Sequence, residues 1–280
     1  MKKGINIWSF PGGMSLRESM RTAKDAGFEG IELALAEKGE LSLESPEQEI
    51  RELRRRADDE GIELTSLASG LYWDYPLTSS RAEVLGKARD IVRKQLEAAA
   101  VIGVDTILVV PGAVGVDFIP GAEVVPYDRA YDYALEAFSR LAKEAEAHRI
   151  SIGIENVWNK FLLSPLELRD FIDKIGSGYV GSYLDVGNVL ASGYPEHWIS
   201  ILNRRIKKVH FKDYRRAAGG LHGFVDLLAG DVDYPAVVAA LGEVGYTDYV
   251  IAEMIPPYTH HPAQILYNTS ASMNAILGRN

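Results

Sequence analysis

Four side chains that can bind a metal ion stand at or near the ends of short apolar runs in the second half of the chain. Glu155 ends the run SIGIE, Asp185 ends YLD, His210 lies in VHFKD and Glu253 lies in VIAEM. Three carboxylates and one imidazole make an oxygen-rich donor set, which hard divalent ions prefer. The set therefore favours Mn²⁺ or Mg²⁺, allows Co²⁺ or Zn²⁺, and argues against a structural zinc site.

A metal ion held by these four residues would suit proton abstraction from a carbon beside a carbonyl group. Such an ion polarises a ketone and stabilises the enediolate that forms when the proton leaves. One carboxylate then removes the proton from one face of the carbon, and a second carboxylate returns a proton on the opposite face. We assign these two catalytic roles to Glu155 and Glu253, and we expect Asp185 and His210 mainly to hold the metal ion.

The elements that must position these residues form an alternation of strand-like runs and amphipathic helical patterns. The carboxyl ends of the strands in a parallel α/β barrel meet at one mouth, so residues far apart in sequence become neighbours there. The pattern predicts a single (β/α)8 TIM barrel of the α/β class, spanning residues 1–280 as one domain. An open doubly wound sheet is the alternative, but no GxGxxG turn follows the first strand. The predicted strands cover residues 4–10, 30–35, 64–70, 106–111, 151–157, 180–186, 206–212 and 249–254.

Helix starts and long connections add to this outline. Ser15, Ser45 and Ser164 each precede a helical pattern and are predicted N-cap residues. The longest connections, residues 112–126 and 213–231, follow strands, which places them on the functional rim of a barrel.

Aromatic and basic residues near the predicted strand ends are candidates for binding a substrate. Trp158 and Lys160 follow Glu155 closely. Trp158 would stack on a sugar face or pack between loops, and Lys160 would bind a hydroxyl or a phosphate group. Trp8 ends the first predicted strand and would line the pocket or pack in the core. His222 lies in the long seventh loop, from which it could reach the pocket.

Two further groups each have two interpretations. Lys212, Arg215 and Arg216 form a basic cluster beside His210, which would either bind phosphate or lie solvated on the surface. Glu32 ends the second predicted strand, and it would either bind sugar hydroxyls or form a salt bridge inside the barrel.

Composition excludes several classes of protein. The chain has 280 residues, with 30 basic and 39 acidic side chains and a net charge of −9, which argues against a nucleic-acid binder. It has no cysteine, so it has no disulfide framework and no thiolate metal site. No segment reaches the roughly 18 uninterrupted apolar residues of a membrane span, and the start MKKGINIWSF lacks the apolar region of a signal peptide. We therefore expect a soluble cytoplasmic protein that binds a small molecule.

The segments IGIEN, YLDVGN, VHFKD and VIAEM, in this order on a barrel pattern, resemble the xylose isomerase-like superfamily. Within it the chain resembles the sugar-phosphate isomerase/epimerase group, which includes ketose 3-epimerases and L-ribulose-5-phosphate 3-epimerases. The resemblance implies that Glu155, Asp185, His210 and Glu253 bind a divalent metal ion, usually Mn²⁺, and that the two glutamates transfer the proton. It also implies a sugar or sugar phosphate as substrate, and it allows a homo-oligomer, either a dimer or a tetramer.

Three positions bear on the substrate. Asn188 stands where the free-sugar 3-epimerases carry a histidine that contacts the substrate, and it matches the phosphate-sugar branch instead. Arg216 matches an arginine that those epimerases use, whereas Phe161 replaces one of their glutamates. The resemblance therefore implies substrate-binding roles for Asn188 and Arg216, and it supports the class of reaction better than the substrate.

We therefore predict a metal-dependent 3-epimerase of a ketose or ketose phosphate. The alternatives on the same scaffold are an aldose–ketose isomerase and an inosose dehydratase-like enzyme. A nuclease of the endonuclease IV type is a remote alternative, because such sites use many histidines and this chain has 6, of which one ends a predicted strand. A non-catalytic sugar-binding barrel is also remote, because binding alone does not require both Glu155 and Glu253.

Overall fold

The strands of this protein close into a barrel. A computed structural model describes residues 1–255 and 258–279. Its strands are β1 (Lys2–Asn6), β2 (Gly30–Ala34), β3 (Glu63–Ala68), β4 (Thr106–Val109), β5 (Ser151–Glu155), β6 (Val180–Asp185), β7 (Ile206–Phe211), β8 (Asp213–Tyr214), β9 (Phe224–Val225) and β10 (Tyr249–Ala252). Eight of them pair in the closed order β1-β10-β7-β6-β5-β4-β3-β2, with every pair parallel. β8 and β9 form a separate antiparallel hairpin. The predicted (β/α)8 TIM barrel is confirmed.

Helices connect the strands and cover the barrel. They are α1 (Leu16–Asp25), α2 (Glu47–Glu60), α3 (Ala82–Ile102), α4 (Tyr127–His148), α5 (Pro165–Ile175), α6 (Val186–Val189), α7 (Pro195–Leu202), α8 (Tyr234–Glu243) and α9 (Gln264–Ile276). The apolar face of α3 is buried at Val84, Ala88, Ile91 and Ala99, as expected for an amphipathic helix packed on a sheet. Within the described ranges, no helix combines the length and the apolar composition that crossing a membrane requires.

Two of the three predicted helix caps are present. The Ser15 side chain accepts the N3 backbone N–H of α1 in a full capping box, and Ser164 caps α5 in a similar way. The prediction at Ser45 is wrong, because α2 is preceded by Pro46 and has no side-chain cap. The hydroxyl of Ser45 instead accepts the backbone N–H of Ser42 at 2.9 Å, which closes the turn before the helix.

The first strand ends earlier than the predicted range of residues 4–10. The Asn6 side chain accepts the backbone N–H of Trp8 at 2.7 Å and caps a short 3₁₀ turn over Ile7–Ser9. A side-chain bond of this kind offers the backbone an alternative to the strand ladder. The turn leaves Trp8 in the lining of the cavity at the barrel mouth.

The strand register brings the predicted site residues side by side. Asp185 in β6 lies opposite His210 in β7, and Glu155 in β5 lies opposite Tyr183 in β6. Glu253 follows β10, which pairs with the other side of β7. Because parallel strands in a barrel end at one rim, these positions share a single mouth.

Candidate functional site

The four predicted metal-binding residues form one cluster. Glu155, Asp185, His210 and Glu253 each offer a ligand atom, and these atoms all lie within 4.8 Å of one another. All four side chains are buried, with exposed fractions of 5% for Glu155, 4% for Glu253 and 0% for the other two. The carboxylates of Glu155 and Glu253 flank the imidazole, at 3.5 Å and 3.9 Å from His210 Nδ1.

Backbone and amide contacts fix the strand ends that carry the cluster. Asp185 caps α6, because its Oδ1 accepts the backbone N–H of Asn188 at 2.8 Å. The Asn156 side chain bridges β5 to β6, donating to the Asp185 carbonyl at 2.9 Å and accepting the Asp185 N–H at 2.9 Å. Gly187 allows α6 to lie against the end of β7, since a Cβ there would meet the Lys212 carbonyl oxygen at 2.7 Å. These contacts leave the second oxygen of Asp185 directed at the cluster.

The bonding of the cluster fits a bound cation. Among the described residues, Asp185 Oδ2, His210 Nδ1 and Glu253 Oε2 are buried and lack a hydrogen bond of ordinary geometry, which is unusual for polar atoms in a folded protein. The Lys212 ammonium lies beside the two carboxylate oxygens. Burial, followed by the charge of Glu253, raises the pKa of the Glu155 carboxyl to about 7. Burial also raises the pKa of Asp185, although the Lys212 ammonium opposes the shift. A divalent cation would offset this crowding of negative charge and complete the bonding of all three atoms.

A buried carboxylate holds the imidazole of His210 in place. His210 Nε2 lies 2.9 Å from Oε2 of Glu32, so the ring donates to Glu32 and leaves Nδ1 facing the other carboxylates. Glu32 also accepts from Ser66 at 2.8 Å, from the Tyr183 hydroxyl and from the Asn6 amide. Burial alone would raise the pKa of Glu32, but the charge of His210 and these hydrogen bonds outweigh it and lower the pKa. A carboxylate behind a ligating histidine is a common support of metal sites.

Lys212 lies within the cluster rather than on the surface. Its ammonium contacts Glu253 Oε2 and lies 3.3 Å from Asp185 Oδ2. It also stands 4.9 Å from the centre of the Phe224 ring. Burial alone would lower the pKa of Lys212, but Asp185, Glu253 and Glu155 outweigh it and raise the pKa. Lys212 thus carries a fixed positive charge beside two of the four candidate ligands.

A cavity of about 580 Å³ opens above the cluster and contains several of the predicted substrate-binding residues. Glu155, Glu253 and Lys212 lie in its lining, and so do Asn188, Trp8, Trp158 and His222. The indole N–H of Trp158 donates to the Asn188 carbonyl at 3.0 Å. The Trp158 ring stacks on Phe224 at a centroid distance of 4.9 Å. The ring therefore packs between loops as one interpretation predicts, and because it also lines the cavity, stacking on a sugar face stays a prediction.

Two predicted substrate-binding residues lie outside this cavity. Lys160 is exposed and forms an ion pair with Asp117. Arg216 donates to the carbonyl oxygens of Leu190 and Gly193 at 3.1 Å and 3.2 Å. These partners hold both cationic groups away from the lining of the main cavity. Neither residue lines the main cavity, and a substrate-binding role for Lys160 or Arg216 stays a prediction.

Sequence reasoning missed much of the cavity wall. Trp73, Phe118, Leu221 and Ile255 line it together with residues of the strands. The last three are large apolar side chains with exposed fractions of 38%, 48% and 42%. Their position in loops after predicted strand ends was visible in the sequence, but an isolated apolar residue in a loop is too common to single out. The sequence also did not reveal that Glu32 contacts His210.

Comparisons with known proteins agree with this arrangement. A family model described as "Xylose isomerase-like TIM barrel" matches residues 20–273. The chain is 23% identical over 256 residues to the putative L-ribulose-5-phosphate 3-epimerase of Escherichia coli, covering 86% of this chain and 84% of that protein. It is 26% identical over 213 residues to the 2-epi-5-epi-valiolone 7-phosphate 2-epimerase of an Actinoplanes species, covering 75% and 72%.

The fold also matches solved structures closely. The D-psicose 3-epimerase of Clostridium cellulolyticum H10 superposes with a TM-score of 0.80 at 16% identity, covering 99% of each chain. At this identity the likeness concerns the fold, whereas the family model covers most of the sequence. The chain belongs to the xylose isomerase-like TIM barrel family.

Proposed function

We propose that this protein is a divalent-metal-dependent sugar epimerase that inverts a carbon beside a ketone, with one of Glu155 and Glu253 removing a proton and the other delivering one. The observation that carries the proposal is the pair of buried carboxylates flanking His210 in the lining of a cavity of about 580 Å³. Sugar epimerases among the relatives support the same class of reaction.

Glu155, Asp185, His210 and Glu253 would hold the metal ion. Their three carboxylates and one imidazole favour Mn²⁺, with Mg²⁺, Co²⁺ and Zn²⁺ as other candidates. The chemistry that such an ion supplies is Lewis acidity toward the carbonyl and hydroxyl oxygens of the substrate. Glu32 keeps the His210 ring in the orientation that presents Nδ1.

The two glutamates would divide the proton transfer between the two faces of the reacting carbon. One carboxylate takes the proton as the C–H bond breaks and its electron pair moves toward the carbonyl oxygen. The other carboxyl then delivers a proton from the opposite side, so that the carbon is inverted and the substrate gains or loses no atoms. A general acid or base is most effective when its pKa lies near the working pH, and burial raises the pKa of the Glu155 carboxyl while no metal ion is bound. The Lys212 ammonium orients the carboxylate of Glu253.

Solvent exchange tests this proposal. Mn²⁺-loaded protein is incubated in D₂O with a panel of ketoses and ketose phosphates, and deuterium incorporation is followed by NMR. We expect deuterium at C3 of at least one substrate, and loss of exchange in the variants Glu155→Gln and Glu253→Gln. Deuterium at C1 or C2 would instead indicate an aldose–ketose isomerase. Absence of exchange from every substrate, with Mn²⁺ bound, would rule out the two-glutamate mechanism for these sugars.

A further inference from the structure

The floor and the rim of the main cavity differ in chemistry. Glu155, Glu253 and Lys212 give the floor its charge, whereas the rim carries the exposed apolar side chains Phe118, Leu221 and Ile255. An apolar cluster that remains open to solvent in a folded protein commonly marks a binding surface. The rim is therefore suited to an apolar group, while the floor is suited to polar chemistry.

The cavity offers little to a phosphate group. Apart from Lys212 and the imidazole of His222, none of the described residues that line it has a basic side chain. The Lys212 ammonium already contacts the carboxylates of Glu253 and Asp185. Phosphate recognition relies on charge-assisted hydrogen bonds from cationic side chains, and an anion taken out of water without them is strongly disfavoured. Arg216 and Lys160, the cations considered for this role, are bound elsewhere.

From this contrast we propose that the substrate is an unphosphorylated, ketone-bearing sugar that carries an aryl or alkyl substituent joined through oxygen. The inference rests on the proposed function, since the sugar end would lie on Glu155 and Glu253. The substituent would lie against Trp73, Phe118 and Leu221 in the cavity wall.

The size of the cavity agrees with a substrate of two parts. Its volume of about 580 Å³ falls within the range of about 300–1,000 Å³ that is typical of pockets for drug-sized ligands. A lone sugar on the floor would leave water in contact with the apolar rim. An aryl group would displace that water and bury apolar side chains that are otherwise exposed, which is favourable.

A matched set of ketoses tests the proposal. Each ketohexose of the solvent-exchange panel is supplied unsubstituted, as its 6-phosphate and as its 6-O-benzyl ether, so that the reacting carbon stays the same. We expect the 6-O-benzyl ether to have a kcat/KM for exchange roughly tenfold or more above the unsubstituted sugar. The 6-phosphate should be no better than the unsubstituted sugar. A 6-phosphate that exchanges fastest, or a benzyl ether with no advantage, would overturn the inference.

Two substitutions with equal exposure localise the effect. Leu221 in the rim and Leu166 in α5 are exposed by 48% and 49%, and Leu166 does not line the main cavity. Leu221→Ser should lower the preference for the benzyl ether by roughly threefold or more, because part of the apolar contact is lost, whereas Leu166→Ser should not change it. If Leu221→Ser changes the oligomeric state in size-exclusion chromatography and leaves the preference for the benzyl ether unchanged, the rim is an interface between two copies of the protein and the inference is wrong.

Binding measurements separate this inference from the proposed function. The same ligands are titrated calorimetrically onto the Mn²⁺-loaded protein, whether or not they turn over. If no ketose exchanges its proton but the benzyl ether binds tenfold more tightly than the parent sugar, the proposed reaction fails and the inference stands. If exchange occurs and the phosphate binds most tightly, the reaction stands and the inference is wrong.

Discussion

Replacing Glu32 by glutamine probes the support behind His210, the histidine of the proposed metal site, without changing any candidate ligand. The carboxylate of Glu32 is buried and accepts hydrogen bonds from His210, Asn6, Ser66 and Tyr183. Glutamine has nearly the same shape but no charge, and one of its two polar atoms donates instead of accepting. Because the hydroxyls of Ser66 and Tyr183 can rotate to accept, the amide NH₂ should face them and the amide oxygen should remain on His210.

The magnitude of the effect follows from these contacts. The bond to His210 changes from charge-assisted to neutral, which should lower the free energy of unfolding by about 1 kcal/mol. Loss of the charge behind the ring also makes Nδ1 a weaker ligand, and removal of such a partner typically lowers metal affinity by roughly 10- to 100-fold. We therefore expect a large loss of Mn²⁺ affinity in Glu32→Gln together with a small loss of stability.

The assay is calorimetric titration of Mn²⁺ into the metal-free protein, with thermal unfolding in the presence of a chelator as the stability readout. Glu63→Gln is a matched control, because Glu63 accepts from Lys2 and Tyr249 at the start of β3, the opposite end of the barrel from the cluster. The control should retain the affinity of the unchanged protein. If Glu32→Gln binds Mn²⁺ as tightly as the control does, His210 does not depend on Glu32 and the reasoning is refuted.

Three further predictions follow from the same contacts. Lys212→Met should raise Mn²⁺ affinity on the order of tenfold, because the ammonium no longer competes with the ion for Asp185 and Glu253. It should also destabilise the metal-free protein, because the charges of these two carboxylates are no longer neutralised. Calorimetric titration measures the affinity, thermal unfolding with a chelator present measures the stability, and an unchanged affinity would contradict the prediction. Mn²⁺ binding should weaken as the pH falls below about 7, because the pKa of Glu155 is raised and its carboxyl must lose a proton before it can bind the ion. A series of titrations at different pH values measures this, and an affinity that does not fall with the pH would contradict it. Asp213→Ala should lower the free energy of unfolding by about 2–4 kcal/mol. The reason is that the Asp213 carboxylate accepts hydrogen bonds from four backbone N–H groups of its own loop at 2.8–3.1 Å. Chemical denaturation measures the change, and a change near zero would contradict the prediction.

The barrel and the clustering of the four candidate ligands could be predicted because both follow from short-range patterns and one topological rule. Each of Glu155, Asp185, His210 and Glu253 is tied to a strand end by its position in an apolar run. Parallel strands in a barrel bring those ends together whatever the loops do. The prediction therefore required no knowledge of any side-chain contact.

The remaining features depend on contacts that a pattern does not encode. Glu32 meets His210 across the barrel interior, from a strand that is not a neighbour of β7. Arg216 is held by carbonyl oxygens of a separate loop, and its direction depends on that loop's conformation. The early end of β1 depends on one hydrogen bond, which the Asn6 side chain accepts from the Trp8 backbone N–H. The sequence does not show whether Asn6 makes this bond or another one. Each of these features can be predicted only when the residues that surround it in the folded chain are known.

The central claim is that two carboxylates, one on each face of the reacting carbon, move the proton. The most direct test is the early time course of the reaction of unmodified, Mn²⁺-loaded protein in D₂O, comparing the product with the remaining substrate. We expect the product to carry deuterium at the inverted carbon from the start, while the remaining substrate keeps its original hydrogen. A product that retains the hydrogen of the substrate would contradict the mechanism, because the carboxyl that delivers the new proton is not the one that removed the old one and has taken its deuteron from the solvent.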